Sequence, residues 1–101
     1  MHILLVKFHS GLSHDDVVRN LEERLPLFRA VPGLIQKYYA REAGTGDYVG
    51  VYLFDSEQAL RDTQASEMAR GIPGLYQLQG SSKFQAEIHF ASVRIYSRAT
   101  L

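Results

Sequence analysis

Residues 32–60, PGLIQKYYAREAGTGDYVGVYLFDSEQAL, hold two strands, the turn that joins them and the start of a helix. Leu34 to Arg41 and Tyr48 to Phe54 are rich in aromatic and branched side chains, which fit a pleated surface. Gly44-Thr45-Gly46 between them supplies residues that take positive φ without a steric cost, as a tight hairpin requires. Asp55 or Ser56 then stands where a helix N-cap belongs, ahead of Glu57, Gln58, Ala59 and Leu60.

Upstream of this hairpin, His2 to His9 (HILLVKFH) reads as a strand. A period of two places His2, Leu4, Val6 and Phe8 on one face and Ile3, Leu5, Lys7 and His9 on the other. The first half is apolar on both faces, as a central strand would be. Ser10-Gly11-Leu12 interrupts it, and Ser13 with Asp16 forms a capping-box-like start to a helix. Val17, Val18, Leu21 and Leu25 recur at helical spacing. Pro26 is expected to end or kink that helix near Leu25, leaving Leu27 to Val31 as a further turn.

Downstream, Ser66 to Gly71 continues or restarts the second helix. Gly71-Ile72-Pro73-Gly74 and Gly80-Ser81-Ser82 read as breakers, with a short helix expected over Leu75 to Gln79. The last strand is expected from Lys83 to about Tyr96. Its Phe84, Ala86, Ile88 and Phe90 alternate with Gln85, Glu87 and His89. Beyond Ala91 the apolar phase moves to Val93 and Ile95, which marks a bulge or an end facing a different neighbour.

Strand, helix, strand, strand, helix, strand is the ferredoxin-like βαββαβ order of an α+β fold. It predicts one domain over residues 1–101, with a four-stranded antiparallel sheet covered on one face by helices. The aliphatic set Val49, Val51 and Leu53 suits the helix side, leaving Tyr48, Gly50, Tyr52 and Phe54 on the open face. In the last strand the Phe84/Ala86/Ile88/Phe90 face is assigned to the helices, and Gln85, Glu87 and His89 to the open face. Lys37, Tyr39 and Arg41 are placed on the open face too, although one residue of register in the hairpin reverses that choice. An open face carrying Ile3, Leu5, Tyr39, Tyr52 and Phe54 calls for a partner, most simply a twofold copy of the same chain.

The bulk properties narrow the function. Eleven basic residues balance eleven acidic ones, so nothing marks nucleic acid or an anionic membrane as a partner. The absence of cysteine removes disulfides, thiol nucleophiles and thiolate metal sites. The apolar run Ile3 to Val6 is too short for a secretory or membrane segment, which makes the cytoplasm the expected location. His2, His9, His14 and His89 lack metal-ligand spacing, and there is no nucleotide-binding glycine motif, so no metal or cofactor is expected.

The strand PGLIQKYYARE and the segment GVYLFDSEQAL, with their spacing back to the first strand, resemble the dimeric α/β-barrel superfamily, and within it the YdhR-type monooxygenases. The likeness covers most of the chain to about Arg70. It implies a homodimer joined through the open sheet faces, with a cavity for a small aromatic or apolar molecule. Related barrels include cofactor-independent oxygenases, heme-degrading enzymes, cyclases and isomerases. The heme-degrading members use a helix histidine, and 56–71 contains none.

On that basis the expected activity is a cofactor-independent monooxygenase. His9 and His89 are the candidate proton-transfer groups, brought together if the last strand lies beside the first. A phenolic substrate deprotonated there becomes an anion electron-rich enough to reduce dioxygen. Lys37 or Arg41 would stabilise the oxyanion, Tyr39, Tyr52 and Phe54 would form aromatic walls, and Glu87 completes the polar set. The alternatives are a non-catalytic ligand-binding or stress-related barrel protein, and an isomerase or cyclase using the same groups. In the structural reading, the tyrosines pack a dimer and Lys7, Lys37 and Glu87 form inter-strand ion pairs.

Overall fold

The computed structural model describes residues 1–78 and 84–101, with Phe84 followed in its backbone alone. The elements run β1 (His2–Phe8), α1 (His14–Arg29), β2 (Leu34–Arg41), β3 (Tyr48–Phe54), α2 (Glu57–Gln64), α3 (Glu67–Arg70), α4 (Ile72–Leu75) and β4 (Phe84–His89). The strands form one antiparallel sheet in the order β2-β3-β1-β4, the ferredoxin-like arrangement. The hairpin closes as the glycines require: Gly46 takes φ +72°, and its N–H donates to Glu42 O at 2.8 Å.

The helix starts follow the sequence. Ser13 Oγ accepts from Asp16 N, Ser56 Oγ from Ala59 N, and Ser66 Oγ from Ala69 N, each satisfying a donor that the first turn leaves open. Thus the segment after α2 restarts as a new helix. Two expectations about helix ends fail. α1 continues through Pro26 to Arg29, because Pro26 and Glu22, whose carbonyl loses its donor, are both solvent-exposed. Ile72-Pro73-Gly74 is no breaker but part of a helical turn, with Pro73 in the first turn where a missing N–H costs nothing. Tyr76 to Leu78 leave the helix, and Leu78 bridges Ser10. The expected break at Gly80-Ser81-Ser82, Gln79 and Lys83 lie outside the described residues.

The face assignments are the main correction. Tyr48, Gly50, Tyr52 and Phe54 are the buried side of β3 and point toward the helices, while Val49, Val51 and Leu53 line the open face. The helices present few large residues to the core: Val17 and Phe28 from α1 and Leu60 from α2. Rings are needed to span the gap between the layers, and Tyr52, Phe54 and Tyr76 supply that volume. Short aliphatic side chains are left for the flatter outer surface.

β2 reverses with it. A bulge at Ile35 interrupts the pairing, so that Leu34 lies opposite Phe54 while Lys37, Tyr39 and Arg41 lie opposite Tyr52, Gly50 and Tyr48. The three residues do share a face with Tyr52 and Phe54, as their sequence pattern indicated, but it is the helix-covered face. In β4, Glu87 and His89 pair with Leu4 and His2 and lie on the helix side with Gln85, because Arg61 and Gln64 of α2 bind the Glu87 carboxylate. Ile88, half exposed, faces outward. β4 also ends at His89, and Val93, Ile95 and Tyr96 beyond it are exposed.

Candidate functional site

A cavity of about 270 Å³ lies between the sheet and the short helices. Its apolar walls include Leu4, Val6 and Tyr52 from the sheet, and Phe28, Met68 and Ile72 from the helices. Gln64, Gln85 and Arg70 give it polar handles. Such a lining, mostly apolar with a few hydrogen-bonding groups, is typical of small-molecule sites, and the volume sits just under their usual range of ~300–1,000 Å³. Glycine at position 50 makes the wall possible: a Cβ there would come 2.9 Å from Cε2 of Tyr52.

Behind Phe28 and Tyr52 lies an unusual polar cluster. The Lys37 ammonium or amine, Nζ, stands 3.0 Å from the ring centre of Phe28, 3.9 Å from that of Tyr39 and 4.3 Å from that of Tyr52. It also donates to the Tyr39 hydroxyl. Among the described residues no carboxylate pairs with it. Burial first, and the Arg24 guanidinium second, pull the Lys37 pKa down to about 6. The ring faces oppose this by favouring a cation, but their attraction is smaller than the loss of water around the charge. Burial likewise pushes Tyr52 up to about 12 and Tyr39 higher still, so both phenols stay protonated. Arg24 itself donates to the Met68 carbonyl at 2.9 Å and lies over Phe28.

The two histidines expected to act together are far apart. β4 does lie beside β1, but the antiparallel register sets His89 opposite His2, while His9 follows the other end of β1. Seven residues of strand separate those ends, roughly 23 Å at about 3.3 Å per residue. His9 is exposed and meets Asp47 at 2.9 Å. His89 instead touches His2 and Glu87. Lys7 is anchored at 2.7 Å by Glu42, which follows β2 in the hairpin turn, so this ion pair joins a strand to a turn where an inter-strand pair was expected. Arg41 lies over Tyr48 at the hairpin end, 5.7 Å from its ring centre. Phe54, fully buried, stacks on Tyr52 as core and is not a lining residue of the cavity.

Lys37, Tyr39 and Tyr52 are therefore brought together, whereas His9, His89, Arg41 and Glu87 lie elsewhere. Arg24 was missed because its charge reads as solvent-facing, and Phe28 because it lies beyond Pro26, where the helix was expected to end or kink. Their signal was the continued spacing Val17, Leu21, Arg24, Phe28 along one side of α1. Among the described residues, no three His, Asp or Glu side chains converge as metal ligands. No described helix is long and apolar enough to cross a membrane.

No protein-family model matches the sequence, and no protein in the curated set matches it. Its likeness is to solved structures. An antibiotic biosynthesis monooxygenase superposes with a TM-score of 0.71 and 16% identity, over 91% of this chain and 100% of that one. The cofactor-independent oxygenase SnoaB from Streptomyces nogalater gives 0.71 and 15%, over 91% and 94%. The ActVA-Orf6 monooxygenase from Streptomyces coelicolor, in complex with Nanaomycin D, gives 0.67 and 18%, over 95% and 92%. The chain thus shares the ferredoxin-like α+β fold of these solved structures.

Proposed function

We propose that this protein is a cofactor-independent monooxygenase acting on a small aromatic substrate within a homodimeric barrel. The observation that carries the reading is the apolar cavity walled in part by Phe28 and Tyr52, beside a lysine with no carboxylate partner among the described residues, set in a fold shared with SnoaB and the ActVA-Orf6 enzyme. The substrate ring lies against Phe28 and Tyr52, and the Gln64 and Gln85 amides hold its oxygens. Lys37 Nζ lies behind the same rings, so it replaces the histidines as proton acceptor for a substrate whose hydroxyl passes the ring edges to reach it.

The chemistry then balances without a cofactor. Deprotonation of a phenol or anthrone gives an anion that passes one electron to dioxygen. The radical pair combines into a carbon-bound peroxide, and loss of water leaves a carbonyl. One oxygen atom enters the substrate, the other leaves as water, and the substrate supplies all the electrons. The expected result is oxygen uptake with hydroquinones or anthrones that Lys37→Met abolishes and His9→Ala and His89→Ala leave intact. Turnover that survives Lys37→Met but is lost in His89→Ala would refute this assignment, and ligand binding with no oxygen uptake would favour a binding protein.

The homodimer is supported by the open face. Ile3, Leu5, Val49, Val51, Leu53 and Ile88 form a continuous apolar surface across three strands, with Tyr38 exposed on the fourth. Monomers rarely leave such a surface wet. A second sheet of the same kind covers it and offers cover for the apolar arm at Val93, Ile95 and Tyr96.

A further inference from the structure

We infer that Lys37 is a carbonyl-capturing amine, which reversibly forms an imine with small apolar aldehydes entering a groove separate from the main cavity. This goes beyond the oxygenase reading, since it needs neither dioxygen nor an oxidisable substrate. The groove, about 500 Å³, opens between α1 and β2 and is lined by Leu25, Phe28, Leu34, Ile35, Lys37 and Tyr39. Lys37 is thus one of three polar residues, with Arg29 and Gln36, along a groove that is otherwise apolar and open to solvent.

Three features fit that role. First, the chain has three lysines, Lys7, Lys37 and Lys83, and they are not equivalent. Lys7 is bound by Glu42, which holds its charge in place and raises its pKa. Lys37 lacks a described carboxylate partner and has the cation Arg24 nearby, so its amine is neutral for much of the time at pH 7. Second, the rings of Phe28, Tyr39 and Tyr52 and the hydrogen bond to Tyr39 hold Nζ in place, so that little freedom is lost on reaction. Third, Leu25, Leu34 and Ile35 favour an apolar or aryl group on the carbonyl carbon, and the ring of Phe28 offers a stacking face.

In the reaction the Nζ lone pair adds to the carbonyl carbon and the C=O π pair moves to oxygen. The nitrogen gives up a proton, the oxygen is protonated from water, and loss of a water molecule leaves C=N. Amine plus aldehyde become imine plus water, with no change in oxidation state, and hydrolysis reverses it.

The test is trapping with benzaldehyde and cyanoborohydride under argon at pH 7, followed by peptide mapping of the wild-type protein. The expected result is a benzyl group on Lys37, formed at least about tenfold faster than on Lys7, because the neutral fraction of each amine follows its pKa. Urea should abolish the preference, and Lys37→Met should lack the fast adduct. Label confined to Met1, Lys7 or Lys83, or spread evenly over the lysines, overturns the inference. Because dioxygen is absent, the result is independent of whether the protein is an oxygenase.

Discussion

His2 and His89 face each other across the β1–β4 pair, with Nδ1 2.7 Å from Nδ1 and the rings edge to face at 4.9 Å. The contact is a direct consequence of strand register, which pairs these two residues and sends His9 to the opposite end. His89 continues the chain of contacts to Glu87 at 3.1 Å, and Glu87 in turn accepts from Arg61 of α2 at 2.7 Å. One end of the sheet is therefore tied to α2 by polar groups.

This tie gives a pH dependence. Arg61 above all, then Gln64 and His89, hold Glu87 down to about 2. A carboxylate with a folded pKa below its unfolded value stabilises fully above about 4.5, and loses that contribution as pH falls toward 2. Wild type should therefore melt above Glu87→Gln at pH 7, with the gap closing between about pH 4.5 and 2. A gap that stays constant across this range would show that the carboxylate charge is not what matters. The pair is partly exposed, so added salt should narrow the gap as well.

Substitution of Lys37 predicts the opposite sign, although its contribution, like that of Glu87, falls as pH drops. Its folded pKa is lowered to about 6, so between about 6 and 10.5 the unfolded chain binds a proton that the native protein lacks. Stability from this group falls as pH drops from 10.5 to 6, then levels off. Lys37→Met, which keeps the chain length and removes the amine, should raise the melting temperature at pH 7 and have a smaller effect near pH 10.5. Thermal melts of both proteins across that range check it; a variant less stable at pH 7 would place the lysine outside the apolar cluster.

The reversal of the β3 faces can be tested by two aspartates. Phe54 is fully buried under the helices, and Phe54→Asp should leave no folded protein, since a carboxylate there has no described partner. Val51 lies on the open face, and Val51→Asp should fold while losing the proposed dimer. Circular dichroism and sedimentation velocity read the two outcomes. A folded Phe54→Asp protein, or a Val51→Asp protein that remains dimeric, would restore the aromatic residues to the open side.

How far the sequence reaches can be judged from these same strands. The hairpin turn and the caps at Ser13 and Ser56 follow from local chemistry, because φ preference and capping depend on neighbours in the chain. The grouping of Lys37, Tyr39 and Tyr52 was legible too, since residues at matching phase across a hairpin share a face. Which face the helices cover was not. Both faces of β3 are apolar, and the choice between them rests on the volume that α1 and α2 fail to fill. The bulge at Ile35 hid the same fact in β2, where Leu34 and Lys37 face one side at a spacing of three. The site moved for a related reason: β4 was correctly placed beside β1, but its antiparallel register separates His89 from His9.

Glycine at position 50 offers the most direct probe of the cavity itself. Its missing side chain leaves the space over which the Tyr52 ring lies, and a methyl group there would meet ring atoms at 2.9 Å and the hydroxyl oxygen at 3.3 Å. Tyr52 also stacks on Phe54 and borders Lys37, so the displaced ring has to move toward the cavity or the lysine. Gly50→Ala should cost about 1–3 kcal/mol by overpacking and weaken binding of an aromatic ligand such as an anthrone. Gly50→Ala combined with Tyr52→Leu removes the clash and should recover stability, while binding stays weak because the aromatic wall is gone. Denaturant titration and ligand-induced fluorescence quenching measure the two quantities separately. If the single substitution changes neither, the ring has room that its present packing does not provide, and Tyr52 is not a fixed wall of the site.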